Sequence, residues 1–227
     1  MRAPLLLSPA DHARISAAVH AAEQHSAGEI VTIVTDRSDG YADIALAWAA
    51  LAAFTALTVL SVVPDFFLSL YDQVMGHWDR AWTPATVLAL AASLAIVKFM
   101  AALLLQLWPP VKWLLIPRHI KAARVRARAV TCFKVGAERR TDGHTGILIY
   151  VSLREHRAEI VADSAIASQV SPEIWGAAMA AMLGQIRAGN LAEGMIAAVE
   201  QVGAVLAQHF PRAENDRNEL PDRLIEV

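Results

Sequence analysis

Apolar and polar positions divide this chain into stretches of different period. From Ile44 to Val63 no residue is charged and most are aliphatic or alanine. A second, less pure run extends from about Thr83 to Trp108 and is interrupted by Lys98. About 20 such residues cross the hydrocarbon core of a bilayer at roughly 1.5 Å per residue. The first run therefore predicts a membrane span. The second reads as one tilted helix from about Trp82 to Leu107, with Trp108-Pro-Pro110 at its exit and Val111–Ile116 in the interface. Between them, Asp65, Asp72 and Asp79 stand against Arg80, with Tyr71, Trp78 and Trp82 as interfacial aromatics.

Before and after this greasy middle the periods are those of an α/β domain. Ser8-Pro-Ala-Asp11 opens a helix with Ile15, Val19 and Ala22 on one face. Gly28 breaks it, and Glu29–Thr35 is apolar on both faces, as a central strand is. After the apolar middle, Arg118 to about Ala137 reads as a helix with Ala122, Val125, Ala129 and Phe133 in one stripe. Gly146–Ser152 and Ala158–Ala162 follow as two strands of a hairpin around Arg154-Glu-His156. Ser171-Pro-Glu173 starts a helix with Trp175, Met179, Met182 and Ile186 inward, ended by Gly189. Asn190 and Glu193 cap a last one with Met195, Val199, Val202 and Leu206 inward. The first two strands are expected to be parallel and the third antiparallel.

The organisation that results is a split domain, with residues 1–40 and 117–211 forming one α/β unit. Residues 41–116 are an inserted transmembrane hairpin, and residues 212–227 a loosely held polar tail. Lys112, Arg118, Lys121, Arg124, Arg126 and Arg128 follow the second span with no acid before Glu138. By the positive-inside rule this end is cytoplasmic. Both termini then lie in the cytoplasm, as in a multi-pass protein of a bacterial inner membrane, and the short Asp-rich loop lies outside.

Composition adds little beyond this. The chain is 56% hydrophobic and 19% charged, and that shortage of charge against a usual 25% or so lies in the middle. A net charge of -2 gives no reason to expect nucleic acid. The single cysteine, Cys132, fits a reducing compartment and reads as a core residue.

Gly28–Thr35, Tyr41-Ala-Asp43, Thr145–Ser152 and Arg157–Asp163 together resemble the TPM-domain family, in its bacterial membrane-protein branch. The resemblance covers roughly Pro9–Gly40 and Arg118–Pro211. It implies an α/β/α sandwich and, from some members, a weak acid phosphatase activity with acidic metal-binding positions. Where soluble members carry Gly-x-Gly-Leu after the third strand, this chain reads Ala162-Asp-Ser-Ala-Ile166. That departure counts against phosphatase chemistry here.

A hydrolase or metal centre would need converging carboxylates, since Ca²⁺ and Mg²⁺ take oxygen ligands. Asp36 and Asp39 leave the first strand and Asp163 ends the third; an antiparallel third strand would put Asp163 at the opposite sheet edge. Solvated loop acids and helix caps are the favoured reading of all three. Lys121, Arg124 and Arg128 form a basic stripe beside a span, where anionic lipid headgroups are the simplest partner. Without interleaved aromatics the stripe does not suit nucleic acid. The histidines lack metal-ligand spacing. Lys98 reads as snorkelling to an interface or touching a neighbouring helix, rather than lining an ion path. Two functions stay open: a noncatalytic binding or scaffolding module for a membrane-protein partner, or a metal-dependent phosphatase-like hydrolase using Asp36, Asp39 and Asp163.

Overall fold

A computed structural model describes residues 6–76, 82–136, 145–171, 173–212 and 219–227. His77, Trp78, Asp79, Arg80, Glu138, His144 and Pro172 lie outside the described residues. The chain forms two compact units, Met1–Asp39 with His119–Val227, and Gly40–Arg118.

In the first unit the elements are α1 (Pro9–Glu23), β1 (Glu29–Thr35), α6 (Arg118–Gly136), β2 (Gly146–Ser152), β3 (Arg157–Ala162), α7 (Ser164–Gln169), α8 (Ile174–Arg187), α9 (Leu191–His209) and β4 (Ile225–Glu226). The strands form one sheet in the order β3-β2-β1-β4. β1 and β2 are parallel in the register Glu29↔Gly146 to Thr35↔Ser152, and β3 is antiparallel to β2 at the edge. All seven residues of β1 and of β2 are buried, which is why both read as unbroken apolar runs rather than alternating ones.

Alternation still decides which layer each side chain meets. Ile30 and Val34 of β1, with Ile147, Ile149 and Val151 of β2, pack on Ile15, Val19, Met182, Met195 and Leu206 from α1, α8 and α9. On the other face Val31, Ile33, Leu148 and Tyr150 meet Val125, Ala129 and Phe133 of α6. Helices thus cover both faces of the sheet, and the architecture is the expected α/β/α sandwich. α1 and α9 approach closely at Gly203, where an added Cβ would stand 2.6 Å from the Ala22 Cβ. Ser8 caps α1 as its sequence predicts, accepting from the Asp11 N–H at 3.2 Å. Asn190 precedes α9 without a side-chain cap bond, contrary to expectation; its Nδ2 reaches the Gln185 Oε1 at 3.5 Å instead.

The loosely held tail expected from residue 212 onward needs correction. β4 joins the sheet parallel to β1, pairing Ile33 with Ile225 and Val34 with Glu226. Leu220 and Leu224 are buried. Carboxylates do much of the anchoring: Glu29 accepts the N–H groups of Glu219 and Leu220, both at 3.1 Å. Glu226 accepts those of Leu6 and Leu7 at 2.7 and 3.0 Å and meets His12 Nε2 at 2.8 Å. Burial pushes the Glu226 pKa up, but these donors more than offset it and hold the group below its ordinary value.

The second unit is helical: α2 (Ala42–Val62), α3 (Pro64–Met75), α4 (Pro84–Leu105) and α5 (Pro109–Leu115). α2 and α4 have mean hydropathies of 2.0 and 2.4 and are long enough to cross a membrane. They pack on each other, and Gln106 Nε2 donates to the Ala45 carbonyl at 3.1 Å. Trp48 Nε1 donates to the Leu115 carbonyl at 2.9 Å. The loop expected after the first span is a helix, α3, which Pro64 opens in its first turn, where a missing N–H costs nothing. α4 begins at Pro84, two residues inside the expected start, behind an N-cap at Thr83 that forms a reciprocal capping box with Thr86.

Candidate functional site

Parallel pairing of β1 with β2 brings the exits of both strands side by side. Leu153 N–H donates to the Thr35 carbonyl at 3.0 Å and Arg154 N–H to that of Asp36 at 2.9 Å. The two loops are therefore stitched together by backbone bonds before any side chain acts. In open sheets this carboxyl end is where sites form.

The side chains there form a chain of hydroxyls ending on a carboxylate. His156 takes a left-handed conformation, φ +50°, in the β2–β3 turn. Glu155, next to it, is buried, and one of its oxygens accepts the Ser38 N–H at 2.9 Å. The other accepts the Ser152 hydroxyl in a short bond. Ser38 Oγ donates to Ser152 Oγ at 3.0 Å and lies 3.0 Å from the Tyr150 hydroxyl. Each hydroxyl owns one proton. With Ser152 giving its proton to Glu155 and Ser38 giving its own to Ser152, Tyr150 must donate to Ser38. Burial raises the Tyr150 pKa, against the opposing effect of Ser38, so its proton stays in place.

This network resembles an activated serine only in its list of residues. Ser152 has 0% relative exposure, so no substrate can reach its Oγ. A nucleophile needs a reacting atom within contact. What the network does is fix the loop that carries Asp36 and Asp39. Asp36 receives Arg154 Nε at 2.9 Å on both carboxylate oxygens, and Asp39 pairs with Arg124 Nε at 3.2 Å. These ion pairs are partly exposed and open to exchange with external charged groups.

Asp163 is elsewhere. Its N–H donates to the Gly146 carbonyl at the opposite end of β2, and its carboxylate caps α7 by accepting the Ser164 N–H at 2.7 Å. Six residues of strand, roughly 20 Å at 3.3 Å each, separate that end from Ser152. The three candidate metal ligands do not converge: Asp36 and Asp39 share one loop and Asp163 does not join them. Among the described residues no group of three or more His, Cys, Asp or Glu is placed to hold a metal ion. The residues present do not fit a Ca²⁺ or Mg²⁺ centre built on that triad, because such ions need six or more oxygens around one point.

The basic stripe is divided in the same way. Arg124 is engaged by Asp39, and Arg126, its neighbour, pairs with Glu159 at 3.1 Å. Arg128 is exposed and Lys121 half-buried. Cys132 is half-buried, and burial raises its thiol pKa, which disfavours the reactive thiolate. Sequence reasoning placed Asp36 and Asp39 at the strand exit but missed Ser38, Tyr150, Ser152 and Glu155. The available signal was Tyr150 and Ser152, two polar groups in an otherwise apolar strand.

A mixed sheet between α6 on one face and α1, α8 and α9 on the other defines the class, an α/β/α sandwich with a helical unit inserted after its first strand. Residues 115–205 match the family model of the TPM domain, so the family resemblance read from the sequence holds over the second of its two stretches. No curated protein matches the chain. Among solved structures, the chain is similar to the NMR structure of BA42 protein from the psychrophilic bacterium Bizionia argentinensis. The two share 18% identity and a TM-score of 0.58, over 100% of this chain and 99% of that one. At that identity the likeness is one of fold.

Proposed function

We propose that this protein is a membrane-anchored TPM-like domain that serves as a binding or scaffolding module for membrane-protein partners. The observation that carries the reading is the insertion of two long apolar helices inside one domain, between β1 and α6. In their most apolar windows only 11% of α2 and 0% of α4 is buried. A core helix of a water-soluble protein would be enclosed by its own chain, whereas a lipid-facing one is not. The excess of Lys and Arg after Leu105 supports cytoplasmic termini in a bacterial inner membrane. Exposed Arg128, in the basic stretch that follows the second span along the sequence, supports contact with anionic headgroups.

The binding reading is favoured over a phosphatase-like hydrolase by the closed hydroxyl network and the separated carboxylates. Neither leaves a reacting atom beside a polarising group. Carbonate extraction of native membranes, run beside an aryl phosphate assay, tests both parts. The full chain should remain with the bilayer and show no turnover that Asp36→Asn abolishes. Release by carbonate, or turnover lost on that substitution, would refute the reading.

A further inference from the structure

α2, α3 and α4 enclose a lateral groove of about 540 Å³ on the apolar unit. Its walls include Trp48, Ala52, Thr55, Ala56 and Phe67, and at its edge stands Lys98. Lys98 is the single charge between Pro84 and Leu105 and lies seven residues before that end, roughly 10 Å along the axis at 1.5 Å per residue. Its amine is exposed and makes no ion pair or hydrogen bond among the described residues.

From this juxtaposition we propose that the groove is the docking site for a transmembrane helix of another protein that carries an Asp or Glu opposite Lys98. The inference rests on the membrane-anchored reading and specifies the partner's chemistry. A charge at this depth in lipid is favourable only when paired or drawn to the surface. A carboxylate is the partner that both accepts from the ammonium and neutralises its charge, since Lys98 offers three donors and no acceptor. A second copy of this chain does not supply one at this level: Ile44–Val63 and Pro84–Leu105 hold no Asp or Glu. The small side chains of Ala52 and Ala56, one turn apart on the groove wall, admit a helix backbone closely.

The test is photocrosslinking in native membranes from p-benzoylphenylalanine placed at Leu51, which also lines the groove, in the full chain with Lys98, Lys98→Arg or Lys98→Met. The expected product is an adduct whose crosslinked peptide maps to a membrane-spanning segment containing Asp or Glu. Its yield should survive Lys98→Arg and fall about tenfold in Lys98→Met. An adduct to lipid alone, to a second copy, or to a segment without an acid would overturn the proposal, as would equal yield in Lys98→Met or no adduct at all. A parallel probe at Arg128 separates the two levels. Protein adducts from Arg128 without the expected groove adduct leave the docking function standing and remove only this site.

Discussion

Glu23→Gln should make the protein more stable than the wild type at alkaline pH and leave it nearly unchanged in acid. The Glu23 carboxyl sits at the end of α1 with 7% relative exposure, where one oxygen accepts the Ile30 N–H at 2.9 Å. Burial raises its pKa to about 8 from an ordinary 4.5; the Ile30 N–H opposes this, and the nearby carboxylates of Glu29 and Asp222 add to it. In the unfolded chain the group titrates in the usual carboxylate range. The native state therefore holds a proton that the unfolded state has released between those two values, and stability must fall as pH rises across that window. The difference between 4.5 and about 8, at 1.36 kcal/mol per pH unit, sets a ceiling of about 5 kcal/mol. Water reaching part of the group lowers this, and about 2 kcal/mol is a realistic loss. Glutamine keeps the acceptor for Ile30 and cannot ionise. Thermal unfolding in nanodiscs at pH 5 and pH 8.5, with hydrogen exchange at the Ile30 amide, reads the effect. Groups remote from Glu23 cancel in the difference between variant and wild type. A stability difference that is the same at both pH values would refute the assignment of a neutral, buried Glu23.

Three further outcomes follow from the packing and the network. Gly203→Ala forces its Cβ against Ala22 and should cost about 1–3 kcal/mol, measured by thermal shift; adding Ala22→Gly should restore part of it, less about 1 kcal/mol for a glycine inside α1. Ser152→Ala removes one donor from the buried Glu155 carboxylate and should cost about 1–3 kcal/mol, with faster exchange at the Ser38 amide; unchanged exchange there would mean the network does not hold the loop. Glu226→Ala should release the Leu6 and Leu7 amides to exchange and weaken the β4 pairing, whereas an unaltered exchange pattern would show that Leu220 and Leu224 alone hold the segment.

The elements that pattern reveals are those whose burial is uniform along their own length. β1 and β2 read correctly because every residue is enclosed, and α6 because Val125, Ala129 and Phe133 recur at helical spacing. Their parallel pairing, and the antiparallel β3 at the edge, followed from the order of elements. That order also warned that Asp163 would stand at the far end of the sheet from Asp36. The hydroxyl network was not legible, since an acid in a polar turn looks solvated. Only the left-handed backbone at His156 and the backbone bonds of Leu153 and Arg154 place Glu155 in a buried position under Ser38.

The C-terminal segment was hidden for a different physical reason. A two-residue strand has no period, and residues 212–227 are mostly polar, so local composition argues for a loose chain. What holds the segment is long-range: Glu29 in β1 accepts from amides about 190 positions away, and Glu226 accepts from the amides that lead into α1. In each case an acid that would read as a surface charge is the acceptor for backbone donors that a strand or helix of the same chain leaves open. Glu23, Glu29, Glu155 and Glu226 all work this way, each accepting at least one backbone N–H. Glu29, Glu155 and Glu226 pin distant stretches of chain, and Glu23 pins the turn from α1 to β1.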